Sequence, residues 1–165
     1  MLLLELDAHP KASKGQLSSW YQQYHKAPEF TYWLVESITS KSIAQQRNGS
    51  WLLKHGLERK VEIELEQFDI ISKSCLTITN WETILHLCQS LALNPPLLDR
   101  SALNFQPFLV QHAQHPKPFV RAWSITALHE LSKTFLILKE DAVRLVQTAV
   151  NDPAKSVQAR IRNLR

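Results

Sequence analysis

At 165 residues and 44% hydrophobic content the chain has the size of one domain and enough apolar material to bury a core; its three glycines are too few for a phosphate cradle and suit long helices better than a sheet sandwich. Its net charge of +4 hides an acidic middle (Glu58, Glu62, Glu64, Glu66, Asp69, Glu82) and a basic stretch from Lys117 to Arg165; such runs ordinarily face water, although a polar protein or a nucleic acid is able to read either. Met1-Leu2-Leu3-Leu4 has no basic flank and is broken by Glu5 and Asp7, no apolar run approaches membrane-spanning length, and Cys75 and Cys88 form no CxxC pair, which together predict a cytoplasmic protein with buried thiols.

Residues 1–16, ending near PKASKG, show no sustained period and read as an N-terminal arm or short helix and a linker, its leucines docking on the first helix of the domain that fills 17–165. Leu17, Trp20, Tyr21 and Tyr24 then recur at i, i+3, i+4, i+7, and Phe30, Trp33, Leu34 and Ile38 repeat the spacing after Pro28, predicting a first helix pair. Its aromatic density would suit base stacking, but a stripe at helical spacing is ordinarily core. Ser40 is placed as the cap of a helix carrying Ile43, Gln46, Gly49, Leu53 and Leu57. Val61 to Glu66 alternates strictly, as a strand does, yet Val61, Leu65, Phe68, Ser72 and Cys75 also make a helical stripe, and a lone strand would lack a partner. A helix is therefore predicted there, with Glu58, Glu62 and Glu66 as an acidic ridge facing water. Asn80 caps the next helix, which Asn94-Pro95-Pro96 ends. Two further pairs follow, over Leu103–Gln114 with Pro118–Phe135, and Leu138–Ala149 with Ala154–Leu164.

The segments share a register. Arg47, Ser50, His55 and Leu57 match Arg121, Ser124, His129 and Leu131 without a gap at a displacement of 74 (47 to 121), and half of that, 37, lies within the period of two-helix repeats. Gly49 falls opposite Trp123 in this match, which predicts that Gly49 lets a neighbouring helix approach closely. His115-Pro116, Val120-Arg121 and Ala127-Leu128, followed by Asp152-Pro153, Val157, Ala159 and Leu164, resemble the HEAT repeat family. That resemblance implies an all-α fold, a right-handed α-solenoid of about four HEAT-like helix pairs. It also implies a link from an Asp in one turn to a base near the start of a neighbouring helix, which here pairs Asp152 with Arg121.

Signatures of chemistry are missing. There is no GxxxxGK, GxGxxG or GxSxG, His129-Glu130 does not continue to HExxH, and His112 with His115 has no acidic or thiol company, so no metal or cofactor is expected. Asn80-Trp81-Glu82-Thr83-Ile84-Leu85 is similar to the W-D-x-x-D element of the HEAT-like DNA alkylation glycosylases, with Leu85 where that family has its essential carboxylate. The resemblance implies a fold relative without the activity. Arg47, Trp51 and His55 lie at i, i+4, i+8, as do Arg121, Ile125 and His129; with Arg162 beyond, they form a candidate partner-binding groove, unless they link one repeat to the next. The reading is a non-catalytic protein-binding or scaffolding module; its alternative is a nucleic-acid-binding relative of the glycosylases.

Overall fold

In the computed structural model of the chain, residues 1–93 and 95–164 are described; Asn94, the first of the helix-ending trio, lies outside them. The described residues hold ten α-helices and no strand: α1 (Leu2–Ala8), α2 (Lys14–Tyr24), α3 (Phe30–Thr39), α4 (Ile43–Leu57), α5 (Leu65–Ser74), α6 (Trp81–Ala92), α7 (Asp99–His112), α8 (Pro118–Ser132), α9 (Lys139–Ala149) and α10 (Lys155–Arg162). The predicted stripes are largely buried, with Ile43 at the start of α4 an exposed exception. Leu17, Trp20, Tyr21 and Tyr24 of α2, Phe30, Leu34 and Ile38 of α3, and Ala142, Leu145, Val146 and Ala149 of α9 all lie in one continuous core. The aromatic cluster is thus packing material, with Tyr21 edge-on to Phe30 and Tyr24 edge-on to Trp33 across the α2–α3 junction.

Packing recurs between helices two apart: α2 to α4, α4 to α6, α6 to α8 and α8 to α10 in an even row, α1 to α3, α3 to α5 and α5 to α7 in an odd row, with α7 and α9 joined by Gln106 Nε2 donating to Asp141 Oδ2 (2.8 Å). The rows meet where α3 packs on α4 and α7 on α8. Side-chain bonds along the rows keep a near-constant offset. In the even row Arg47 reaches Glu82 over 35 residues and Ser50 reaches His86 over 36. In the odd row Gln67 reaches Thr31 over 36, and Ser101 reaches Asp69 over 32. The close approach predicted at Gly49 occurs against α3: a Cβ there would stand 1.8 Å from Ser37 Oγ and 2.8 Å from Ser37 Cβ.

Three details differ from the sequence reading. The cap of α4 is Ser42, whose Oγ accepts from the Gln45 N–H (3.3 Å), while Ser40 ends α3 and its Oγ accepts from the Ser42 N–H (3.0 Å). A capping oxygen receives the amide two or three residues on, and for the orphan amide of Gln45 inside α4 only Ser42 is that close. Residues 61–64 are not helical. Lys60 takes a left-handed φ of 61° and the Val61 N–H bonds back to the Gly56 carbonyl (3.0 Å), which closes α4 in the manner of a left-handed C-cap. The chain then runs extended with Ile63 buried and Glu62 and Glu64 exposed, so the alternation was a true two-faced signal that needed no partner strand. With Glu58 ending α4, Glu62 in the extended segment and Glu66 in α5, the acidic ridge does not form. Finally, α1 docks chiefly on α4 and α3, with His9 at its end edge-on to Trp20 of α2: Asn48 Nδ2, fully buried, donates to the carbonyls of Leu6 (2.8 Å) and His9 (3.0 Å), which satisfies the end of that short helix.

Candidate functional site

Arg47 opens the second turn of α4. Its Nε donates to Glu82 Oε2 (2.9 Å), and its Nη1 donates to the Ala12 carbonyl (3.3 Å) and Asn48 Oδ1 (3.0 Å). Arg121, its match in α8, grips Asp152 with two bonds of 2.8 Å from Nε and Nη2, and its Nη1 donates to the carbonyls of His115 (2.9 Å) and Pro116 (3.1 Å). The Arg121 guanidinium holds the Asp152 carboxyl below its usual range. Between these two links, Lys117 Nζ sits 4.4 Å from the centre of the Trp81 ring. The starts of α4, α6 and α8 and the turn before α10 are thereby tied in sequence along one edge. Both matched arginines join neighbouring helices, as the sequence comparison allowed.

The other candidates scatter. Ile125 is 2% exposed and belongs to the core, at the base of a hollow of about 300 Å³ that Arg144, Leu145 and Thr148 of α9 also line. His129 is half-buried near Lys139 and Val143, and burial lowers its pKa. Arg162 is exposed at the end of α10. Within the glycosylase-like stretch, Glu82 is engaged by Arg47 and Leu85 packs against the core.

Trp51 and His55 are brought together. Their rings stack with centroids 4.4 Å apart, and both line a hollow of about 480 Å³ with Lys14 and Ser18 of α2 and Lys54, Glu58 and Arg59 of the α4 end. Tyr21 meets His55 edge-on at 4.8 Å. Arg59 Nη1 donates to His55 Nδ1 (3.0 Å) and to the His55 carbonyl (3.2 Å), so Nδ1 is the acceptor nitrogen of a neutral ring. Burial, and then the charges of Arg59, Lys54 and Lys14, press the His55 pKa down against the opposing pull of Glu58. Lys54 Nζ pairs with Glu58 Oε1 at 3.0 Å. The hollow therefore carries three cations and one acid about a neutral imidazole and an indole. Sequence reasoning missed Lys14, Lys54 and Arg59. The i, i+4 spacings Lys54–Glu58 and His55–Arg59 were a legible signal for the last two once α4 is extended by one turn; nothing local to Lys14 announces that α2 lies alongside.

Other chemistry is scarce. Cys75 and Cys88 are free and buried, and burial pushes their thiols up to about 11 and about 12, which leaves them unreactive. Among the described residues no group of three or more His, Cys, Asp and Glu could hold a metal, and no helix is long and apolar enough to cross a membrane. No protein-family model, no curated protein and no solved structure matches the chain.

Proposed function

We propose that the chain is a right-handed α-solenoid of HEAT-like helix pairs and acts as a non-catalytic protein-binding or scaffolding module in the cytoplasm. The repeating next-but-one contacts and their recurrent offsets support the solenoid. One observation carries the binding role: the matched arginines that a phosphate backbone would need, Arg47 and Arg121, are committed to Glu82 and Asp152, while the hollow at Trp51 stays open. A half-exposed tryptophan with an arginine in the same hollow is the kind of residue pair enriched at protein interfaces.

A photo-crosslinking residue in place of Trp51 tests this in the producing cell, with a second placed at exposed Gln111 on α7 as control. A discrete polypeptide adduct at 51 that is absent at 111 is the expected result. Nucleic-acid adducts at 51, together with tight duplex or single-strand binding that weakens steeply with salt, would replace the reading with its nucleic-acid alternative.

A further inference from the structure

We infer that the hollow between α2 and α4 takes an acidic segment of a protein partner, with glutamate or aspartate carboxylates held by Lys14, Lys54 and Arg59 beside the Trp51 indole; this rests on the protein-binding reading above. The arginines near the starts of α4 and α8 are answered by carboxylates within the fold, Arg47 by Glu82 and Arg121 by Asp152. In the hollow the only acid is Glu58, and Lys54 holds it. Lys14 and Arg59 have no carboxylate partner among the described residues, and His55, as the acceptor for Arg59, brings no negative charge. The partners of Arg59, the His55 nitrogen and carbonyl and the Tyr21 ring, are neutral, so net positive charge remains in the hollow, and its cost to the fold falls away when an anion enters.

Lys14 adds a second sign of the same kind. It is the first residue of α2, where the helix dipole favours an acid and disfavours a cation. Its position serves the hollow and not the helix.

The geometry suits carboxylates on a peptide better than a run of phosphates. Arg59 is oriented by His55 Nδ1 and its carbonyl, with the guanidinium 5.6 Å from the centre of the Tyr21 ring, and Lys54 is oriented by Glu58, so two donors are set before a ligand arrives. The volume of about 480 Å³ admits a few side chains. Glu58 inside the hollow, and Glu62 and Glu64 exposed on the segment that leaves it, would repel a continuous polyanion, whereas separated carboxylates with neutral residues between them avoid those acids.

Anisotropy titrations of the full chain with a labelled glutamate-rich peptide, its glutamine counterpart and single-stranded DNA test the inference. The glutamate peptide should bind and the glutamine peptide should not. Lys14→Gln, Lys54→Gln and Arg59→Gln should each weaken binding about fivefold to tenfold, the loss of a charge-assisted bond at a partly solvated site, while Arg162→Gln leaves it unchanged. Melting curves of the Lys14 variant, altered only at an exposed side chain, keep the test independent of folding. Equal binding of the glutamine peptide, an equal loss with Arg162→Gln, or DNA binding tighter than the peptide through the same three cations would overturn the inference. If the crosslinker at position 51 still captures a polypeptide while the glutamate peptide fails to bind, only the acidic specificity falls; if neither gives a signal, the protein-binding reading falls with it.

Discussion

Along the flank of α4 that faces α3 and α6, each polar or small group meets its counterpart: Gly49 admits Ser37, Arg47 closes on Glu82, and Ser50 Oγ lies 3.1 Å from His86 Nδ1. Along the flank that faces α2, Lys54, His55 and Arg59 share a hollow with Lys14 and a single acid. Both flanks carry cations, Arg47 on the first and Lys54 and Arg59 on the second. The difference teaches that a count of cations says little about free positive charge, because Arg47 holds a neighbouring helix while Lys54 and Arg59, two turns and more further along, border an open hollow.

The closed flank should break most readily at Gly49. Gly49→Ala puts a Cβ into Ser37, so α3 and α4 must part, and overpacking of this kind costs about 3 kcal/mol, more than the gain in helix propensity. The melting midpoint should fall sharply and recover in large part when Ser37→Gly is added. On the open side Gly15→Ala meets only Ser13 Oγ at 3.8 Å and should be neutral or slightly stabilising. Similar losses at the two glycines would remove the distinction between the flanks.

His86 makes the closed flank sensitive to acid. Burial, and then the charges of Lys54 and Arg47, lower its pKa to about 4, against 6.5 for the free side chain. The folded state thus binds this proton less readily than the unfolded chain. Stability is intact above pH 6.5, declines as pH falls from 6.5 towards 4, and levels off below that. His112, also lowered to about 4 by burial, titrates in the same window, so His86→Asn should make the decline shallower by roughly 2 kcal/mol without abolishing it. Asp69, held down to about 2 chiefly by Lys73, loses its contribution only between pH 3.8 and 2 and is separable from the histidines.

How much of this was legible can be judged from particular residues. The helices were, since burial of one face leaves a 3.6-residue period, and the pairing of Asp152 with Arg121, which the resemblance to HEAT repeats implied, is present. The Gly49 approach was legible through its match to Trp123, although the match did not say that α3 would be the neighbour. Ile125 was misleading because the offset from Trp51 fixes only a direction around a helix, and α8, packed against α7 and α9, buries Ile125 where α4 leaves Trp51 half-buried. The extended run at Val61 was obscured because alternating and helical stripes coincide over a few residues. Lys14 was invisible: its role depends on α2 lying beside the end of α4, a long-range arrangement with no local trace.

Within the closed edge, the link at Arg121 should exceed the one at Arg47. The first has two bonds of 2.8 Å and side chains 14% and 9% exposed; the second has one bond of 2.9 Å and side chains 21% and 31% exposed. A double-mutant cycle of Arg121→Gln with Asp152→Asn should show a coupling of about 1 kcal/mol, and Arg47→Gln with Glu82→Gln roughly half of that. Strict additivity at both sites would mean that the edge is ornamental and that packing alone sets the register.

The smallest effect is the most telling for the open flank. Lys14→Glu replaces a cation at the first position of α2 with the charge that the helix dipole prefers there, and it places an acid in a hollow where Arg59 has no carboxylate partner. If the hollow is left open for an acidic ligand, this variant should gain about 0.5 kcal/mol of stability while losing the glutamate peptide. The gain should shrink as salt rises, because exposed charges are screened over about 8 Å at physiological ionic strength. Stability and binding then move in opposite directions, as they do where a fold carries unfavourable groups for the sake of function. A loss of stability on Lys14→Glu would show instead that Lys14 is answered within the fold, and the two flanks of α4 would no longer differ in kind.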